Sequence, residues 1–301
     1  MNKAISVSTT APDLASGKGH KDENFPVASW LVRADARAPI MAYYRFARAA
    51  DDIADHPTAP PHDKLARLAA MRAGLDGDGA AVAMDLAATA RARGLDLIHA
   101  QELLDAFVQD VTVNRTADWA ALIAYCRMSA MPVGRFVLDV HGEDRALWPL
   151  SDALCAALQI VNHLQDCGKD YRAIGRVYVP GDMLAAAGVT VEALGEAQAS
   201  PALRGVIKDC ANRTLALLHE AAPFAAAIRD LRLAAEVAVI QRLAVDLAQG
   251  LTRRDPLSEN VHHSKLRAAW LAAGALPGLG MNRLGMNRLG MNRVGMDRAR
   301  K

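Results

Sequence analysis

The chain has 301 residues, of which 52% are hydrophobic and 23% are charged. This balance excludes a wholly disordered protein, because disordered chains are poor in hydrophobic residues. The net charge is only +2, and charges of both signs are mixed along the chain. We therefore predict no nucleic-acid partner, since such proteins carry a basic patch or stripe. Alanine is abundant and β-branched runs are scarce, which favours a largely helical protein.

The predicted elements begin after a polar segment, residues 1–22, which we expect to be disordered. From residue 23 to residue 274, helix follows helix, and no linker divides the stretch, so a single all-α domain is predicted. The best candidate for a strand, residues 176–179, is short. Helix breaks are predicted at groups of Pro, Gly and Asn near residues 57–61, 76–79, 94, 114–117, 142–149, 175–180, 200–201, 223 and 250–256.

Residues 275–301 form a basic segment in which Gly-Met-Asn-Arg and a Leu or Val repeat every five residues. Arginine at every fifth position spirals around a helix, so a disordered tail is predicted, with weak attraction to anionic lipid as the alternative. The longest stretch without charged residues, 268–282, is too short to span a bilayer, and the amino terminus has no apolar signal segment. The four cysteines lack zinc or C-x-x-C spacing. We expect a cytoplasmic protein in peripheral contact with the inner membrane face.

The first segment that contains candidate functional residues is 43–55. On a helix of about 100° per residue, three carboxylates, two guanidiniums and a phenol fall near one another: Asp51, Asp52, Asp55, Arg45, Arg48 and Tyr44. The opposite arc is small and apolar.

Residues 159–170 repeat this arrangement. Their polar side chains share one arc of a helix whose far side is apolar: Gln159, Asn162, His163, Asp166 and Asp170. His163 is open to two interpretations, a structural hydrogen bond or a contact to substrate.

Two interpretations of the acidic arcs are open. They are solvated helix faces held by ion pairs, or they bind a cation. Solvated faces favour Glu and Lys, whereas Asp, Asn and His are poorer helix formers. Magnesium suits short carboxylates and completes its octahedron with phosphate oxygens. Asp pairs on facing helices therefore predict magnesium on a diphosphate, with arginines on the remaining oxygens. The predicted metal ligands are Asp51, Asp52, Asp55, Asp166 and Asp170, and the predicted arginines are Arg45, Arg48 and Arg176.

The pattern R-x-x-R-x-x-D-D-x-x-D, followed about 110 residues later by Q-x-x-N-x-x-x-D-x-x-x-D, resembles the squalene and phytoene synthase family over about residues 23–250. Further blocks agree with it: Tyr125-Cys126, Pro132-Val133-Gly134, residues 175–180 and Asp182. Residues 23–29 and 129–135 look like the hydroxysqualene synthases of the bacterial hopanoid pathway. The sister presqualene diphosphate synthases usually have a glycine-rich block where this chain has residues 130–132.

The resemblance implies an isoprenoid synthase fold with a central cavity, and magnesium at two aspartate motifs that face each other. It also implies ionisation of presqualene diphosphate, rearrangement of the cation and capture by water to give hydroxysqualene. Functional coupling to a presqualene diphosphate synthase and a hydroxysqualene reductase follows from that chemistry. The resemblance adds Asn162 as a metal ligand, with Gln159 and Tyr178 as substrate contacts. From the residues themselves, Tyr44 and Tyr125 are interpreted as catalytic ring faces for a cation, with core packing as the alternative. Arg172 is interpreted as part of a basic loop that closes over the diphosphate, with an ordinary surface arginine as the alternative.

The sequence departs from the family pattern at Met131 and at residues 167–169, and it lacks the carboxyl-terminal anchor of the eukaryotic squalene synthases. Two alternatives stay open. One is a transferase that condenses two farnesyl diphosphates to presqualene diphosphate or squalene. The other is an inactive helical assembly factor, although all five aspartates are retained. No glycine pattern follows a strand, so no tightly bound nicotinamide is predicted.

Carbocation chemistry also calls for a polar group that holds water near the cation. Residues 119–141 are predicted to form one helix with a kink at Pro132. We expect the kinked stretch 129–132 and Tyr125 to face the cation, and the residue that positions the water stays open.

Overall fold

The computed structural model describes residues 33–275. Helices dominate this part of the chain, which contains no strand, and the all-α prediction is confirmed. The predicted disorder of residues 1–22, the block at 23–29 and the tail from residue 276 lie outside the described residues. The helices are α1 (Ala34–Ala54), α2 (Pro61–Asp76), α3 (Ala81–Arg93), α4 (Ile98–Thr112), α5 (Trp119–Ser129), α6 (Met131–His141), α7 (Trp148–Ile174), α8 (Gly181–Ala186), α9 (Pro201–Glu220), α10 (Phe224–Ala227) and α11 (Leu231–Leu251), with a last helix over 265–275.

Helix α7 lies at the centre of the packing. Its apolar face, which includes Ile160, Val161 and Leu164, is fully buried against α5, α6, α9 and α11. Helices α1 to α4 pack around a second apolar cluster that contains Phe46 and Leu104. Helix α6 contacts both groups and so connects the two clusters.

The chain changes direction after α7 because Gly175 ends the helix. Its φ of 67° lies in the left-handed region, which glycine adopts without steric cost. The next residues run beside the α4–α5 connection, where Val177 forms an isolated parallel bridge with Arg115. The amide of Val177 donates to the carbonyl of Asn114 over 3.0 Å. This bridge, at the strand candidate, fixes the positions of Arg176 and Tyr178.

The predicted single helix over residues 119–141 is wrong in one respect, because the structure divides it into α5 and α6 at Ala130. Ala130 has φ −120° and ψ −44°, and Pro132 occupies the first turn of α6. Proline is favoured there because its missing N–H has no intrahelical partner to lose. Gly134 then lets α6 approach α7 closely, since a Cβ at this position would lie 2.5 Å from the Sγ of Cys155.

One stretch of the described residues, Trp119–His141, is long and apolar enough to cross a membrane by length and composition. It is interrupted at Ala130, and Leu122, Phe136 and Leu138 are buried against neighbouring helices. This is typical of a core helix in a water-soluble fold. The absence of a membrane span stays a prediction from the sequence.

Candidate active site

A polar cavity of about 310 Å³ lies between α1, α4, α5, α7 and the segment after Gly175, and we call it the polar chamber. It brings together nine of the side chains predicted from the sequence: Tyr44, Arg48, Asp51, Asp55, Tyr125, Gln159, Asp170, Arg176 and Tyr178. Residues that are more than 120 positions apart in the chain thus share one site.

A second cavity of about 360 Å³, the apolar chamber, is enclosed by α1, α6, α7, α10 and α11. Its walls are mainly aliphatic and aromatic, and they include Phe136 and Phe224. Tyr44, Ala47 and Val133 line both chambers. The polar and apolar chambers therefore lie side by side and share these three residues as a boundary.

Two predicted substrate contacts do not line the polar chamber. Arg45 forms an ion pair of 2.7 Å with Asp85 of α3, and both side chains are about half exposed. Arg172 is exposed near the end of α7. Both positions are typical of ordinary surface arginines.

Three predicted metal ligands also lie outside the residues that line this cavity. Asp52 accepts a hydrogen bond of 2.9 Å from Arg48, and Asp166 pairs with Lys169 at 3.6 Å. Asn162 is half-buried on α7. Asp52 and Asp166 lie about one helical turn from Asp55 and Asp170, whereas Asn162 lies eight residues, about two turns, before Asp170.

Arg48 lies between two carboxylates of the first acidic arc. Its Nη1 is 3.0 Å from Asp51, and its Nη2 is 2.9 Å from Asp52. The guanidinium therefore screens the repulsion between neighbouring aspartates on α1.

A buried network supports the opposite wall, and its centre, Asp110, is not among the site residues predicted from the sequence. Tyr125 donates to Asp110 over 2.7 Å, and Tyr178 donates to it over 3.2 Å. Arg176, only 6% exposed, donates to the Asp110 carbonyl over 3.0 Å and to Asp55 over 2.7 Å. Burial raises the pKa of Asp110 to about 6, although Arg176 and Tyr125 oppose that rise. The available signal was a lone aspartate on the buried face of α4.

His163 is a neutral part of the same wall. Burial, together with the nearby charge of Arg176, lowers the pKa of His163 to about 3. Its ring stacks on Tyr178 with centroids 3.5 Å apart, and its Nε2 lies 3.1 Å from the amide nitrogen of Gln159. These contacts favour the structural interpretation of His163.

Asp170 has an excess of negative charge around it. Burial, followed by the charges of Asp166 and Asp55, raises the pKa of Asp170 to about 7. Among residues 33–275, no three His, Cys, Asp or Glu side chains come close enough to hold a metal ion by themselves. This donor set fits a hard cation that obtains its remaining oxygen ligands from a bound phosphate.

The chain is similar to known proteins over most of its length. The profile described as Squalene/phytoene synthase matches residues 18–267. The chain is 52% identical over 284 residues to hydroxysqualene synthase of Zymomonas mobilis, covering 92% of this chain and 96% of that protein. It is 31% identical over 206 residues to presqualene diphosphate synthase of the same organism, covering 65% and 69% of the two chains.

A crystal structure of squalene synthase from Alicyclobacillus acidocaldarius has a similar fold. Its TM-score is 0.67 at 30% identity, with 75% of this chain and 87% of that chain covered. These similarities, together with the described helices and the two facing acidic arcs, show that the chain belongs to the squalene/phytoene synthase family.

Proposed function

We propose that this protein converts presqualene diphosphate to hydroxysqualene. The single observation that supports this assignment of the reaction is the contrast between two relatives from one organism. The hydroxysqualene synthase is 52% identical and matches almost end to end, whereas the presqualene diphosphate synthase is 31% identical over two thirds of the chain. The same contrast argues against the transferase alternative.

The two adjacent chambers suit a substrate with one charged and one hydrocarbon end. The polar chamber offers arginines and carboxylates to a diphosphate, and the apolar chamber offers dry walls to a prenyl chain. A dry wall also protects a carbocation from premature reaction with bulk water. The reacting carbon is then expected at the boundary, beside Tyr44 and Val133.

Magnesium belongs to this proposal as the ion that Asp51, Asp55 and Asp170 would hold, with Asp52, Asn162 and Asp166 beside them. When bound, it would stabilise the negative charge that develops on the leaving diphosphate. The excess negative charge around Asp170 supports this assignment.

The chain's own residues prepare the ionisation step. Arg176 fixes the Asp55 carboxylate, and Asp110 in turn fixes Arg176. Arg48 is placed to direct a guanidinium toward phosphate oxygens at the cost of its pair with Asp51. Tyr44 and Tyr125 present rings or hydroxyls to the chamber, and an aromatic face stabilises positive charge. The retained acidic residues argue against an inactive assembly factor.

Water-insoluble products favour a place beside a membrane. The last helix exposes Leu266 to 84% and Trp270 to 63% on one face, and residues 281–301 add six basic side chains against one acidic one. Tryptophan and basic residues together are typical of segments that bind anionic bilayers. We propose peripheral contact through this helix, and exchange of substrate and product with enzymes that make presqualene diphosphate and reduce hydroxysqualene.

The proposed reaction is tested by separate incubations with presqualene diphosphate and with farnesyl diphosphate, each with magnesium. We expect a C30 alcohol and free diphosphate from the first substrate alone. Formation of presqualene diphosphate from farnesyl diphosphate would instead support the transferase. Omission of magnesium, with a chelator present, is the control for the metal.

A further inference from the structure

One hydroxyl on the wall of the polar chamber takes no part in the hydrogen-bond network around Asp110. The Oγ of Ser129 is buried and makes no hydrogen bond to any residue within 33–275. A serine near the end of a helix commonly donates to the carbonyl four residues earlier. Thr214 on α9 makes such a bond, 2.9 Å to the carbonyl of Cys210, whereas Ser129 does not.

The position of Ser129 is as informative as its missing bond. It is the last residue of α5, directly before the break at Ala130. It lines the polar chamber, and Val133, one turn further along the chain, lines both chambers. The free hydroxyl therefore lies on the wall that leads to the boundary between the charged and hydrocarbon ends of the site.

Other polar groups on the polar wall are already engaged. The hydroxyls of Tyr125 and Tyr178 donate to Asp110, and the amide of Gln159 contacts His163. A buried polar atom without a protein partner is usually satisfied by ordered water or by a ligand. A single water held here would lie on the wall that leads to the expected carbocation.

We propose that Ser129 holds the water that captures the carbocation, an assignment that rests on the proposed function. The water donates one hydrogen bond to Oγ of Ser129, which leaves an oxygen lone pair directed at the cation. That lone pair forms the new C–O bond. The excess proton of the resulting oxonium passes to an oxygen of the released diphosphate, and Ser129 keeps its own proton throughout.

The test measures partition of the carbocation as well as rate. Ser129→Ala should release diphosphate from presqualene diphosphate within about threefold of the wild-type rate, because ionisation does not involve the hydroxyl. The ratio of alcohol to hydrocarbons formed by proton loss should fall by at least about tenfold, on the scale of losing one oriented polar group in an active site. Ser129→Thr, which keeps a hydroxyl, should retain most of the alcohol.

The matched control is Thr214→Val, which removes a buried and hydrogen-bonded hydroxyl outside both chambers and should leave the ratio unchanged. An unchanged ratio in Ser129→Ala overturns the assignment and leaves the proposed function intact. An equal loss of alcohol in the Ala and Thr variants also overturns the assignment. A loss of alcohol in Glu236→Gln with none in Ser129→Ala overturns it as well, and would point to Glu236, the carboxyl that lines the apolar chamber. Wild-type protein that makes no alcohol overturns both proposals.

Discussion

Replacing Arg176 by methionine isolates the buried network beneath the polar chamber. The variant removes the guanidinium that donates to Asp55 over 2.7 Å and to the Asp110 carbonyl over 3.0 Å. It also removes the positive charge that lies 3.9 Å from the carboxylate of Asp110, a residue that is only 6% exposed. Removing one member of a buried ion pair costs about 3–5 kcal/mol, because the remaining charge is uncompensated. At about 2–4 °C per kcal/mol for a domain of this size, the melting temperature should fall by roughly 6–20 °C.

The double variant Arg176→Met with Asp110→Asn tests the reasoning by calorimetry or thermal circular dichroism. Removing the second charge should recover part of the loss, with an interaction free energy of at least about 1 kcal/mol. Single effects that add to within about 0.5 kcal/mol would refute the idea that Arg176 is held by Asp110. The exposed Arg45→Met on α1 is the matched control, and its surface pair should cost under about 1 kcal/mol.

The remaining predictions concern the metal, pH, the tail and the membrane. Asp51→Asn should lower turnover at least about 10²-fold. The control is Asp35→Asn, an exposed position on the same helix, which should keep normal turnover. Near-normal turnover of Asp51→Asn in excess magnesium would contradict the metal assignment. Because the pKa of Asp170 is raised to about 7 when folded, the folded protein holds that proton more tightly than the unfolded chain. Ionisation of this carboxyl therefore lowers the stability of the folded protein as pH rises from about 4 to about 7. Over that interval, the melting temperature of metal-free Asp170→Asn should rise relative to that of the wild type. A difference in melting temperature that does not change with pH would contradict the raised pKa of Asp170. Deletion of residues 281–301 should leave turnover in detergent and the melting temperature unchanged, and a drop of several degrees would mean that the tail packs on the body. Trp270→Ala should weaken cosedimentation with vesicles containing phosphatidylserine severalfold, with phosphatidylcholine vesicles as the control, and equal binding by both proteins would exclude this helix as the contact.

Periodicity located the two acidic helices because a carboxylate on an otherwise apolar helix is conspicuous. It did not separate Arg48, which enters the polar chamber, from Arg45, which pairs with Asp85 outside it. Both arginines share one arc of α1, and the neighbours that draw them apart come from other helices. A helical projection contains no information about those neighbours.

Asp110 and Ser129 illustrate a second limit. Asp110 is the one aspartate on the buried face of α4, and Ser129 is the last residue of α5, and neither belongs to a repeated pattern that marks it. The role of Asp110 follows from contacts with distant residues such as Arg176, which is 66 positions away. The role of Ser129 follows from its place on the wall of the polar chamber. The break at Ala130 was also hidden, because proline in the first turn of a new helix and proline at a kink look alike in sequence.

The most direct test of the central claim is product analysis after incubation with presqualene diphosphate and magnesium in oxygen-18 water, with and without NADPH. Capture of the carbocation by water places the label in a C30 alcohol, and NADPH should not divert that product. Squalene as the main NADPH-dependent product, with no labelled alcohol, would contradict the account and assign a reductive reaction to this site.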